Sequence, residues 1–418
     1  MERITKRMVE IHARDEPGIA GRAGKQLGSA LRMNALRSPR QASGPRPPRR
    51  VLVVPDKFRG TLTSVQAARA IARGLRRVWP EAEITECGLA DGGEGFARLL
   101  TRATGGVWHR ARTVDAWDEP CEAGWGLLGD ETTAVLDLAS ASGLQQLPAS
   151  KRRPLRTSTY GTGLVLRRVL ASGVRTVIVG LGGSATNDGG LGVAAALGWC
   201  FLDRTGAPVA LNGGGLTELA RVVPSSQPVR ARIIAATDVA NPLFGANGAA
   251  FQFAPQKGAI RAEVRVLDAG LRRLARIVAR DLGLRHETDP GAGAAGGCGY
   301  GFMTFLGAKL EPGFNVFSRL TGLAGKVAAH DLMVTGEGCL DETTLAGKGP
   351  WRVALLARRL RRPVWGVFGR TTIAEPPAPF ARMAALLAGP HAFPPQMPTR
   401  AHAARLADAA AALARSAG

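Results

Sequence analysis

The 418-residue sequence predicts two α/β domains, on three observations. At roughly 150 residues per domain, the length suits two or three domains. A strand, a helix and a second strand follow one another over about 35 residues from Val51, which is a βαβ unit. From about Val107 to Ala139 the pattern changes to short alternating strands with turn residues and little helix, and from Gly163 the α/β rhythm returns. A parallel region and a mixed or antiparallel region are therefore expected.

The elements follow in order. Residues 1–50 carry 12 basic and four acidic side chains and end in Ser43-Gly-Pro-Arg-Pro-Pro-Arg-Arg50. Such a stretch is stiff and solvated and buries no apolar face, so it is expected to be a disordered basic arm. Val51-Leu-Val-Val54, closed by Pro55, reads as a parallel strand buried on both faces. Thr63 is placed to cap a helix, with Gln66 as its capping-box partner. Val65, Ala68, Ile71, Ala72, Leu75 and Val78 then recur at helical spacing up to Pro80. Ala82–Cys87 is the next strand. After the mixed middle come a helix to Ala171, strands at Thr176–Val179 and Ile233–Thr237, and a helix over Ala262–Leu282. Strands at Asp331–Thr335 and Val364–Phe368 and an Ala-rich helix over Ala403–Ala417 complete the chain.

Composition narrows the function. Lys and Arg number 55 against 33 Asp and Glu, a net charge of +22. The arm holds a disproportionate part of it, the rest forms no single stripe, and aromatics are only 5%. Stacking platforms for single strands are therefore not expected, and the charge is read as solubility and attraction for small anions. Five scattered cysteines without a Cys-x-x-Cys fit reduced thiols in the cytoplasm. No run of 18 apolar residues is present to span a membrane.

Five glycine-rich stretches bear acids or open helices: Leu89–Gly95, Gly180–Gly190, Thr237–Gly248 with Pro255–Gly258, Pro290–Gly297, and Thr335–Asp341. Glycines let backbone N–H groups form anion-binding nests. Carboxylates beside them make sense if they hold Mg²⁺ or take a proton from a hydroxyl. Nests, carboxylates and basic side chains together are what phosphoryl transfer requires. Gly291-Ala-Gly-Ala-Ala-Gly296 formally matches the dinucleotide fingerprint but follows no buried strand, so the match is read as accidental. Gly325-Lys326 and Gly347-Lys348 lack the rest of a Walker A loop, and no nucleophile elbow or His-Glu-x-x-His occurs. His109, His286 and His330 are isolated and are given structural roles.

Taken together these stretches resemble the type I glycerate kinases, which phosphorylate D-glycerate with ATP and Mg²⁺. The resemblance rests on Pro55-Asp-Lys-Phe-Arg-Gly60, Ala90-Asp-Gly-Gly-Glu-Gly95, Tyr160-Gly-Thr-Gly163 and Gly182-Gly-Ser-Ala-Thr-Asn-Asp-Gly-Gly190. It continues through Asp238-Val-Ala-Asn-Pro-Leu243, Pro255-Gln-Lys-Gly-Ala259, Gly291–Gly297, and Thr335-Gly-Glu-Gly-Cys-Leu-Asp341 with Gly347-Lys348. The family's Ser and Lys in the first motif are Lys57 and Arg59 here, its Arg in the last is Cys339, and its Glu after Tyr-Gly-Thr-Gly is Leu164.

The resemblance implies a flavodoxin-like parallel domain made of 51–90 and 290–418, an inserted mixed-sheet domain over 91–289, and an active site in the cleft between them. It implies ATP and Mg²⁺ as cofactors and D-glycerate as the small-molecule substrate, with 2-phosphoglycerate as the favoured product. A kinase for a related hydroxy acid and a basic nucleic-acid-binding protein stand as the rival classes. Asp188 is the expected base or metal ligand, with Asn187 orienting beside it. Arg59 and Lys257 would neutralise the glycerate carboxylate or the γ-phosphate. Binding would involve Asp56, Lys57, Asp91, Glu94, Gly182, Gly183, Ser184, Thr186, Gly189, Gly293, Gly296, Gly297 and Lys348. Asp238, Glu337 and Asp341 are the expected metal candidates.

Overall fold

The computed structural model describes residues 47–58, 60–345, 347–373, 375–388 and 398–417. Apart from 47–50, the expected basic arm lies outside the described residues, as does Arg59. Two six-stranded sheets organise the described chain. The first contains β1 (Arg50–Val53) and β2 (Glu83–Glu86). The second contains β3 (Val107–Val114), β4 (Pro120–Leu127), β5 (Thr133–Asp137) and β6 (Thr176–Gly180). A separate hairpin pairs β7 (Cys200–Leu202) with β8 (Arg221–Val223). The second sheet is completed by β9 (Arg232–Ala236) and β10 (Lys309–Glu311). The first is completed by β11 (Leu332–Thr335), β12 (Cys339–Leu340), β13 (Val364–Thr371) and β14 (Phe380–Ala388).

The first sheet is parallel throughout and runs β2-β1-β11-β13-β14, with β12 also on β13. Counted along the chain, those five strands have the doubly wound order 2-1-3-4-5, whose switch point lies between β1 and β11. The second sheet runs β10-β9-β6-β5-β4-β3. Its first four strands are parallel and its last two antiparallel. The mixed region read from the alternation between Val107 and Ala139 is thus the antiparallel edge of a largely parallel sheet.

Alternation explains how both sheets are covered. In β6, Val177 and Val179 enter one core while Ile178 enters another; Ala134 and Leu136 of β5 likewise oppose Val135. In β1, Leu52 and Val54 share the core of Val135 and Ile178, whereas Val51 and Val53 pack with the helices Ser64–Arg76 and Thr399–Arg415. One apolar layer, built around Phe96, Leu100, Phe314 and Phe317, is therefore common to both sheets. With β1, β5 and β6 covered on both faces, near-continuous apolar runs are the expected composition there.

Local signals held where they were strong. Thr63 caps Ser64–Arg76, and the capping box with Gln66 forms. The helix Ala294–Leu306 packs in the core of the second sheet, and β10 pairs with β9, so the chain stays with that sheet to Glu311. Pro290 looks like a domain break only because a turn precedes a helix that is apolar on most sides.

Candidate active site

Parallel strands deliver their carboxyl ends to one side of a sheet, where loops can be long and polar. Here the two sheets turn those ends toward each other. Asp56 and Lys57 follow β1, Asp91 lies beyond β2, and Glu337 follows β11. Asp137 closes β5, Gly182 and Gly183 follow β6, and Asp238 follows β9. The Gly182 N–H donates to the Gly92 carbonyl at 2.9 Å, joining loops from the two sheets. Gly92 has φ +93°, and a Cβ there would fall 2.7 Å from the Ala236 carbonyl oxygen, so only glycine permits this approach.

The charged groups then interlock. Lys57 Nζ lies over Gly93, 2.9 Å from where a Cβ would stand. Its charge favours ionised Asp137, a residue that sequence patterns did not single out. Asp137 accepts the N–H groups of Gly95 and Ala97, both at 2.9 Å, at the start of the helix Phe96–Ala103. Burial nevertheless pushes its carboxyl up to about 7, against those two bonds and Lys57, with the exposed Glu94 adding a little. Arg352 was also missed: its Nη1 lies 3.2 Å from Asp238 Oδ1. Burial raises the Asp238 carboxyl to about 6; Arg352 opposes the shift and the charge of Asp91 adds to it.

Lys348, N-cap of the helix Gly349–Arg359, lies 3.3 Å from Asp341 Oδ1 and 3.8 Å from Glu337 Oε2. Against partial burial, the Thr343 hydroxyl, the Thr344 N–H and Lys348 hold Asp341 down to about 2. Burial pushes Glu337 the other way, to about 7, opposed by Lys348 and the Thr344 hydroxyl and reinforced by Asp56 and Asp341. The Asp56 N–H donates to the Gly336 carbonyl at 2.8 Å, which fixes these two loops side by side at the switch point.

The other expected residues lie behind this cluster. Thr186, Asn187 and Asp188 are wholly enclosed. Asp188 accepts the Thr159 N–H (2.8 Å) and hydroxyl (2.7 Å) and the N–H groups of Gly190 (3.1 Å) and Gly192 (3.3 Å). Both of its oxygens are occupied in tying the loop together. Lys257 is equally buried and donates to Ser184 Oγ (2.8 Å) and the Thr186 carbonyl (2.6 Å), and burial lowers its pKa to about 8. It therefore pins the loop instead of reaching into open space.

Gly293, Gly296 and Gly297 are buried as well, so they do not present an open phosphate nest. Gly296, at φ +72°, sits where a Cβ would meet the Thr186 carbonyl oxygen at 2.1 Å, and its own carbonyl accepts the Gly189 N–H. Of this stretch only Gly182 and Gly183 reach the surface beside Gly93. The three expected metal candidates also divide: Asp238 stands with Arg352 and Asp91, Glu337 and Asp341 with Lys348. Among the described residues no group of three metal-binding side chains forms, nor is any helix long and apolar enough to cross a membrane.

The family model of the glycerate kinase family matches residues 51–417. The chain belongs to the glycerate kinase family. A glycerate kinase of Halalkalibacterium halodurans is 44% identical over 324 residues, covering 76% of this chain and 85% of the relative. A glycerate 2-kinase of Escherichia coli K12 is 39% identical over 326 residues, covering 77% and 86%. The fold matches the crystal structure of a protein assigned as glycerate kinase 2 from Salmonella typhimurium LT2. That match has a TM-score of 0.75 and 34% identity, covering 88% of this chain and 97% of the other. As a member of the family the chain is a kinase, and the clustered acids and bases at the strand ends are to be understood in that light.

Proposed function

We propose that this kinase transfers the γ-phosphoryl group of ATP to the 2-hydroxyl of D-glycerate, giving 2-phosphoglycerate. The observation that carries the reading is the convergence of Lys57, Asp91, Asp238, Glu337, Lys348 and Arg352, from five separate stretches, near the carboxyl ends of parallel strands of the two sheets in a chain of this family. Phosphoryl transfer depends on positioning and charge neutralisation. Lys57, Lys348 and Arg352 supply fixed positive charge for the glycerate carboxylate and the phosphates, and the exposed backbone at Gly183 is open to a phosphate oxygen. The curated relative described as a glycerate 2-kinase supports the choice of hydroxyl.

Mg²⁺ commonly binds through one or two carboxylates together with substrate phosphates. Asp91 and Asp238 fit that role, because the two carboxylates stand close enough for the charge of Asp91 to act on Asp238, beside Arg352 at 3.2 Å. When bound there, the ion would neutralise charge developing on the phosphates. Asp188 and Lys257 we assign to support of the loop, and Asn187, whose enclosed amide finds no hydrogen-bond partner, to positioning. In domain terms we propose 51–90 with 312–418 as one lobe and 91–311 as the other, closing over the substrates to exclude water. A cytoplasmic location agrees with five unpaired cysteines.

A coupled assay with D-glycerate and ATP tests the reading, with product analysis distinguishing 2- from 3-phosphoglycerate. Absence of glycerate-dependent ADP release overturns it. Cys339 and Leu164, which stand where the family carries Arg and Glu, favour a second reading in which a related small hydroxy acid is the better acceptor. Cys339 is the strand partner of Arg370, whose charge acts on its thiol, so a guanidinium is still close by. Comparing kcat/KM across a panel of hydroxy acids decides between the two.

A further inference from the structure

We infer that Glu337 is the catalytic base that takes the proton of the acceptor hydroxyl, an assignment that rests on the kinase reading above. Glu337 follows β11 directly, at the switch point of the first sheet, and is only 7% exposed. Its backbone is fixed by the Gly369 N–H, which donates to its carbonyl at 3.0 Å. Its Oε1 is enclosed and has no hydrogen-bond partner among the described residues, while Oε2 is 3.8 Å from Lys348. A buried carboxylate oxygen left unpaired is costly, and its retention calls for an explanation. An incoming hydroxyl supplies the missing donor.

The neighbouring acids are committed elsewhere. Both oxygens of Asp137 and of Asp188 accept hydrogen bonds from the chain. Asp341 is bound by Thr343, Thr344 and Lys348; Asp238 Oδ1 also lacks a hydrogen bond, but it stands 3.2 Å from Arg352 and, with Asp91, is assigned above to the metal ion. The groups facing Glu337 are Asp56 from the loop after β1, Asp341 and the Thr344 hydroxyl from the loop after β12, and Lys348 from the following helix. Burial, opposed by Lys348 and Thr344 and aided by the two acids, sets its carboxyl at about 7, which matches the working range of a base.

In the step, the hydroxyl oxygen bonds to the γ-phosphorus as the bond from that phosphorus to the β–γ bridging oxygen breaks. The hydroxyl proton moves to Glu337 Oε1, ADP leaves with the bridging electron pair, and the proton then passes to solvent.

Glu337→Gln and Glu337→Asp, measured beside the wild type with D-glycerate and MgATP, test the assignment. The Gln variant is expected to lose about 10²–10⁴-fold in kcat, with ATP affinity by calorimetry within about threefold. Wild-type kcat should fall about tenfold per pH unit below roughly pH 7, a limb that the Gln variant lacks. The Asp variant, which keeps a carboxylate on a shorter arm, should retain part of the rate and the limb, and it serves if Gln prevents folding. A Gln variant within threefold of wild type, one that keeps the acidic limb, or one that loses ATP affinity in parallel with rate overturns the assignment. A wild type without glycerate-dependent turnover overturns the kinase reading instead, and this assignment falls with it.

Discussion

Asp188 and Glu337 are both buried acids on glycine-rich loops at strand ends, yet their surroundings differ in kind. Asp188 accepts four hydrogen bonds from Thr159, Gly190 and Gly192. Glu337 has one oxygen without a partner and a lysine 3.8 Å from the other. The stretch 184–190 is braced by Lys257 and Gly296, with Thr186 Oγ1 and the Asn187 amide lacking partners among the described residues, whereas the cluster of Lys57, Asp91, Asp238, Lys348 and Arg352 gathers charged side chains. Buried polar groups that are fully satisfied rigidify a fold, whereas groups left incomplete mark a place where something else is to bind. The packed stretch holds Gly182 and Gly183 at the front, beside the cluster to which the proposed reaction is assigned.

The sharpest way to break this comparison is Lys348→Ala. Removing one charge that acts on the transferring group is expected to lower kcat/KM by about 10²–10³-fold. Its ion pairs are partly exposed, and such pairs contribute about 1 kcal/mol or less, so the melting temperature should scarcely move. Lys348 also holds the Glu337 carboxyl below where burial alone would put it. Without it the acidic limb of the rate profile should move to higher pH. An unchanged limb would show that Lys348 and Glu337 do not act together.

The packed stretch should respond in the opposite manner. Asp188→Ala leaves the Thr159, Gly190 and Gly192 donors buried and unpaired, at about 1–3 kcal/mol for each group left unsatisfied. Chemical denaturation should report a loss of several kcal/mol, while kcat per folded molecule stays within about threefold. Asp188→Asn, which keeps some acceptor capacity, should lose less. A folded Asp188→Asn protein with kcat reduced a hundredfold or more would return Asp188 to the chemistry.

Much of the architecture was legible because it rests on local rules. The Thr63–Gln66 capping box and the alternation within Val51–Val54 are each decided by residues a few positions apart. The site was only half legible. Glycine-rich stretches pointed to the right loops, but a glycine that packs against Thr186 and one that borders open space have the same local composition. Asp137 ends an ordinary buried strand, and Arg352 is one of 55 basic residues. Neither acquires meaning until β5 and the helix Gly349–Arg359 are brought to Lys57 and Asp238. Pairing of β10 with β9 is likewise a long-range event that no local pattern announces.

The smallest expected effect is in the pH dependence of stability. Burial raises the carboxyls of Asp137 and Glu337 to about 7 and that of Asp238 to about 6, from ordinary values near 4. A raised pKa means that the folded state holds the proton more tightly than the unfolded chain. The stabilisation is complete below about pH 4 and is lost as pH rises through 6 to 7. Lys257 acts in the other direction, in a separate window: burial lowers its pKa to about 8, so its contribution improves as pH rises from about 8 toward its unfolded value of 10.5. Burial raises the Asp188 carboxyl as well, so between pH 5 and 8 the buried acids should together make the melting temperature decline. Glu337→Gln cannot ionise and should decline less, ending roughly 2 °C above wild type at pH 8, the scale of about 1 kcal/mol in a chain of this size. Thermal melts of the two proteins across that range measure the difference directly. Parallel curves would mean that Glu337 ionises without cost, and the contrast between Glu337 and Asp188 would then lose its energetic basis.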